Sequence, residues 1–134
     1  MIDAYKGRDV ATADVAGAYL NAPMRDFIIM KFTGNSVRLL CKLNPSLRAF
    51  VVNERGVEVI YVRLLKALYG CVQSDLLWYK VFTQALQKMG FTLNPYDQCV
   101  ANCTIEGSQC TICWYVDDTK ISHRNPAVVQ AVID

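Results

Sequence analysis

Four consecutive residues, Tyr115-Val116-Asp117-Asp118, put two adjacent carboxylates beside an aromatic ring. An apolar, β-favouring run precedes them, Cys110 to Trp114, and a second short run follows, Thr119-Lys120-Ile121-Ser122. Two such runs joined by a tight acidic pair predict a hairpin with the carboxylates at its tip. Adjacent carboxylates repel each other, and the end of an apolar strand gives solvent little room to relieve that repulsion. A divalent cation would relieve it. Three fixed letters arise by chance in roughly 2 % of chains of this size. Asp is also a preferred turn residue in its own right, so the motif needs support from the rest of the chain.

A third carboxylate offers that support. Asp9 to Val15 is a short β-like run in which Asp14 sits among Val10, Ala11, Ala13, Val15 and Ala16. A charge in so apolar a segment is costly unless it is paired, hydrogen-bonded or bound to metal. The elements that would position these groups follow from pattern. Ala16 to Asn21 predicts a helical turn or two, stopped by Pro23, and Phe27 to Phe32 a strand closed by Gly34-Asn35. Val37 to Leu43 is open between helix and strand. Glu54-Arg55-Gly56 predicts a turn joining Phe50-Val51-Val52 to the β-branched run Val57 to Leu64. The clearest helix runs from Ser74 to Met89, with Leu77, Trp78, Val81, Phe82, Ala85, Leu86 and Met89 as its apolar face. Ser74 is placed to cap it, and Lys88 with Gly90 to end it. Asn94 to Asp97 reads as a turn, and Cys99 to Ile105 pairs with Cys110 to Tyr115 across Glu106 to Gln109. Asn125-Pro126 opens a last helix. The order β-α-β-β-β-α-β-β-α predicts an α+β fold with helices on one face of a mostly antiparallel sheet.

Composition limits the function classes. The 134 residues suffice for one domain over 1–134, and 53 % hydrophobic with 19 % charged residues indicates a globular chain. The net charge of +2 argues neither for nor against a polyanionic partner. No apolar run approaches the ~20 residues of a membrane span. The first nine residues also lack the apolar core of a signal peptide, so neither membrane insertion nor secretion is expected. Reduced thiols are then the expectation for the six cysteines. Cys110 and Cys113 form a C-x-x-C, but an offset of three on a strand points them to opposite faces. Cys99 and Cys103 would share a face, with only one histidine, His123, in the chain. A thiol-based metal or redox module is an alternative; buried thiols acting as small hydrophobes are the simpler reading.

Three ordered blocks are similar to the reverse transcriptase of copia-type retrotransposons. They are Asp14-Val15-Ala16-Gly17-Ala18-Tyr19-Leu20-Asn21; Leu64-Leu65-Lys66-Ala67-Leu68-Tyr69-Gly70 continuing through Gln73-Ser74 to Trp78-Tyr79; and Trp114-Tyr115-Val116-Asp117-Asp118. Gly90-Phe91, Asp97 and Cys99 fall between them where the family has Gly-Phe and Asp-x-Cys, so the likeness runs from Asp9 to Ser122. The resemblance implies the palm region of an RNA-directed DNA polymerase. In it Asp14, Asp117 and Asp118 are the catalytic carboxylates, holding two magnesium ions (manganese as a substitute) with help from the Val15 carbonyl. It implies deoxynucleoside triphosphates and an RNA or DNA primer–template as partners, and the rest of a retroelement polyprotein: integrase, fingers, thumb and RNase H. It places Tyr19, Tyr69, Gly70 and Gln73 at the nucleotide, with Tyr19 as an aromatic barrier to a 2′-hydroxyl, and Lys66, Tyr115 and Lys120 at nucleic acid. The implied location is a cytoplasmic virus-like particle or the nucleus.

The chain departs from that family after Gly70. Where the family has Lys, Gln, a small residue, Pro, Arg and Ala before the Trp, this sequence has Val72, Gln73, Ser74, Asp75, Leu76 and Leu77. Two positive charges are lost and one negative charge gained, which weakens a charge-driven grip on nucleic acid. Little or no activity is expected of the isolated chain, because nothing in it closes over a primer–template or a nucleotide. A degenerate, non-catalytic remnant that only binds or packs is the alternative.

Overall fold

The computed structural model describes residues 2–133. In chain order its elements are α1 (Ile2–Tyr5), β1 (Asp9–Asp14), a 3-10 turn (Ala18–Asn21), β2 (Ile29–Thr33), α2 (Asn35–Leu43), a second 3-10 stretch (Pro45–Phe50), β3 (Val52–Glu54), β4 (Val57–Arg63), α3 (Ser74–Lys88), β5 (Thr92–Leu93), β6 (Val100–Ile105), β7 (Ser108–Tyr115), β8 (Asp118–His123) and α4 (Pro126–Ile133). Every strand pair is antiparallel, and the fold is α+β. Contacts group the chain into two compact units: Pro23–Lys66, and the residues up to Ala22 together with those from Ala67 on.

The larger unit is a five-stranded sheet in the order β1-β8-β7-β6-β5. Strand alternation sends Ala101, Cys110, Ile112, Trp114 and Ile121 to one face, where Leu86 of α3, Phe91 and Val129 of α4 complete the core. Both long helices of this unit therefore cover one face, as expected. Asp3 of α1, with Arg8, lies on the other, where Lys120 donates to Asp3 and Arg8 reaches Thr111 and Ser122. The buried line of α3 is Ser74, Trp78, Thr83 and Leu86. It shares Trp78 and Leu86 with the predicted stripe, Phe82 packs on the core beside them, and Met89, just past the helix end, is exposed. Ser74 is no cap. It is the first helical residue, and its buried hydroxyl donates to the Leu68 carbonyl at 2.6 Å while accepting from the Leu68 amide at 3.1 Å. Asn125 does cap α4, accepting from the Ala127 amide at 3.0 Å. His123 is buried, with Nε2 3.0 Å from the Ile105 carbonyl.

The smaller unit is a three-stranded sheet in the order β2-β4-β3. The segment left open by the sequence, 37–43, is helix, packed through Val37. Phe50 and Val51 lie outside the strand expected to begin there. Asn44 captures the Ser46 amide and Pro45 supplies a helical φ, so a 3-10 stretch runs to Phe50. Both glutamates of this unit have cations beside them: Glu54 with Lys31 at 2.6 Å, and Glu58 with Arg48 at 3.1 Å and Arg38 at 3.7 Å. Among the described residues no helix is long and apolar enough to cross a membrane.

Candidate functional site

The acidic motif is the tip of the β7–β8 hairpin. Tyr115 pairs with Asp118, leaving Val116 and Asp117 as a two-residue loop. Val116 has φ +56°, a conformation that a β-branched residue adopts only under strain. Two bonds hold it there. Trp78 of α3 donates its indole N–H to the Val116 carbonyl at 2.6 Å, and the Val15 amide donates to the Asp117 carbonyl at 3.0 Å. Strained, externally clamped backbone of this kind concentrates at functional sites.

Register then brings the third carboxylate to the tip. β1 and β8 pair so that Asp14 stands directly opposite Asp118, and Asp118 in turn opposite Tyr115. Opposed residues share a face, so Asp14, Asp118 and Tyr115 project from the same side of the sheet. All three are exposed. On that side a groove of ≈ 480 Å³ is bounded by Thr12, Cys113, Tyr115, Asp118 and Lys120.

Asp117 is engaged differently. The Tyr69 hydroxyl donates to its Oδ2 at 3.0 Å. That bond is the main cause of a raised Tyr69 pKa; partial desolvation and the charges of Asp117 and Asp14 add to it. The Tyr69 ring lies 4.4 Å from the ring of Tyr19, whose hydroxyl donates to Asp75 on α3. Asp75 is the first cause, and burial the second, of a Tyr19 pKa pushed up to about 12. Gly70, with φ +88°, turns the chain just after Tyr69; a Cβ there would meet no neighbour, so the requirement is conformational.

The remaining predicted residues of the larger unit are not gathered. Gln73 is exposed at the start of α3 and makes no side-chain cap bond. Lys66 belongs to the smaller unit and is exposed. Lys120 borders the groove, but its Nζ is 2.5 Å from Asp3 Oδ2. Two residues given no site role by the sequence hold site groups: Trp78 holds the turn and Asp75 the Tyr19 hydroxyl. Trp78 was read only as core, although a buried indole N–H needs an acceptor. For Asp75 the sequence suggests only a charge suited to the positive end of α3 and a departure from the family's charge pattern.

The donor chemistry bears on the magnesium that the resemblance implies. Among the described residues neither Asp14 nor Asp118 has a hydrogen-bond or ion-pair partner for its carboxylate. Like charges directly opposed across strands cost about 0.2–1 kcal/mol. Hard oxygen donors left unanswered in this way suit magnesium or manganese. Asp117, however, is turned to Tyr69. Among the described residues no group of three His, Cys, Asp or Glu could hold a metal ion. Asp14 and Asp118 supply oxygen donors of the right type, but with Asp117 held by Tyr69 the three carboxylates do not form a ready-made ion site. Of the thiols among the described residues only Cys103 and Cys110 are shown to meet, opposed across β6 and β7; Cys113 takes the opposite face from Cys110, and all six cysteines are free. The thiol-based metal alternative finds no support among the described residues.

No family model matches the chain, and no solved structure matches it. Among curated proteins it is similar to the transposon Ty1-MR1 Gag-Pol polyprotein of Saccharomyces cerevisiae (strain ATCC 204508 / S288c). The two are 33 % identical over 85 residues, 59 % of this chain and 4 % of the polyprotein. The chain thus spans only a small part of that relative's length.

Proposed function

We propose that this chain is the palm core of an RNA-directed DNA polymerase, derived from a retrotransposon polyprotein. The observation that carries the reading is the register of β1 on β8, which sets Asp14 against Asp118 beside a strained, clamped turn bearing Asp117. Similarity to a retrotransposon Gag-Pol polyprotein supports the origin.

In this reading Asp14 and Asp118 would hold magnesium. Asp117, whose carboxylate accepts from the Tyr69 hydroxyl, would be the third ligand. Bound there, magnesium supplies activation of a primer 3′-hydroxyl and neutralises charge on the triphosphate. Trp78 and Val15 keep the turn from relaxing, so the carboxylates are oriented before the substrate arrives. Tyr19 and Tyr69 form an aromatic wall for the nucleotide, with Tyr19 towards the sugar. Rest-of-polyprotein domains and a primer–template complete the active assembly.

Manganese titration followed by electron paramagnetic resonance tests this on the chain alone. Wild type is expected to bind Mn²⁺, and to retain a deoxynucleoside triphosphate only when Mn²⁺ is present; D14N combined with D118N is expected to lose both. Equal Mn²⁺ binding by wild type and the double variant would overturn the reading.

A further inference from the structure

We infer that Asp75 is a positioning residue that pins Tyr19 and so sets discrimination between deoxy- and ribonucleotides. The inference rests on the nucleotide-binding reading above and extends it to a residue that the reading does not use.

Asp75 is the second residue of α3, and the start of that helix is held from both sides. Ser74 is tied twice to the Leu68 backbone, and Trp78, one turn on, is tied to the Val116 carbonyl. The Asp75 carboxylate is therefore presented from a fixed frame. Its partner is the hydroxyl of Tyr19, which is only 6 % exposed. The Tyr19 ring lies 4.4 Å from that of Tyr69 at an interplanar angle of 60°, and the Tyr69 hydroxyl ends on Asp117. One continuous chain of contacts thus runs from Asp75 through two aromatic rings to the acidic tip.

Tyr19 and Asp75 also line a cavity of ≈ 480 Å³ with Trp78, Tyr115 and Val116, so the angle of the Tyr19 ring shapes that cavity's wall. An apolar or imino residue at position 75 offers the hydroxyl no acceptor. A buried hydroxyl without a partner is costly, so Tyr19 would turn to seek another, away from Tyr69. A fixed ring rejects an additional sugar hydroxyl by contact; a ring free to turn admits it. Asp75 never touches the sugar and acts only through Tyr19.

The test compares the affinity of a deoxynucleoside triphosphate with that of its ribo counterpart, in Mn²⁺, for wild type, Asp75→Leu and Asp75→Asn. Asn retains an acceptor oxygen and rescues. Asp75→Leu is expected to cut the wild-type preference by about threefold to tenfold, and Asp75→Asn to keep it within about twofold. Thermal melting shows that each variant is folded. Should Asp75→Leu fail to fold, Tyr19→Phe, which removes the hydroxyl that Asp75 holds, carries the same expectation. A folded Asp75→Leu or Tyr19→Phe with undiminished preference overturns this inference alone. A wild-type chain that binds neither nucleotide overturns the nucleotide reading as well.

Discussion

Among the described residues three hairpins close through two-residue loops, and two of them follow the ordinary rules. Arg55-Gly56 has φ +51° and +83°, and Glu106-Gly107 has +49° and +71°. Both are the left-handed pair of a type I′ turn, with glycine where it costs least. Val116-Asp117 does not follow them. Only Val116 has positive φ, at a position where this kind of loop favours glycine, and the next two residues are both acidic. The Glu106-Gly107 loop is touched from afar only at the Glu106 side chain, by Asn125, whereas the backbone carbonyls of the Val116-Asp117 loop are held by Trp78 and by Val15. The two turns flank the same strand, β7, so strand chemistry does not explain the difference. Local rules are broken at one end only, beside the opposed pair Asp14 and Asp118, and departures of that sort are expected more often at functional than at purely structural positions.

Removing the clamp should have the largest effect. Trp78→Ala is expected to destabilise the protein by about 3–5 kcal/mol in chemical denaturation. Trp78→Phe, which keeps a ring but loses the donor, should cost about 1–3 kcal/mol; a Phe variant as stable as wild type would show that the clamp does not hold the turn. Exchanging the turn chemistries sharpens the contrast. Gly107→Val should cost about 1–3 kcal/mol, while Val116→Gly should gain up to about 1 kcal/mol. A loss for Val116→Gly would mean that Val116 is not strained. A smaller effect is expected at the opposed carboxylates. Asp118→Asn should stabilise the metal-free protein by about 0.2–1 kcal/mol, with the gain shrinking as salt is added.

The pH dependences are smaller still, and their signs follow from the direction of each shift. Tyr19 titrates at about 12 in the folded chain against an ordinary 10.0. The stability it contributes is therefore complete below pH 10 and lost as pH rises through 12. Asp75→Leu should flatten that alkaline limb in a melting series. Asp3 shifts the other way, below its ordinary 3.8, first because Lys120 donates to it. Its contribution is present above pH 3.8 and lost as pH falls through the lower folded value. An acid titration of Lys120→Met should lack that component.

Much of the site was legible because it is local. The β7–β8 hairpin, the strand ending on Asp14, helix α3 and the Asn125 cap all follow from alternation, helical spacing and turn residues within a few positions of one another. The α+β class follows from their order. Other features required tertiary structure, because they join residues far apart in sequence. No periodicity says that Asp14 faces Asp118 in register, that the Tyr19 hydroxyl meets Asp75, or that Lys120 is taken by Asp3. The burial of Ser74 and Thr83 on α3 was likewise decided by Leu68 and the sheet beneath, beyond what the apolar spacing of the helix itself says. The amino-acid sequence by itself determined which groups were available for chemistry and which short elements carry them. Packing alone decided which of those groups meet, since that depends on strand register and on where buried polar atoms find their partners.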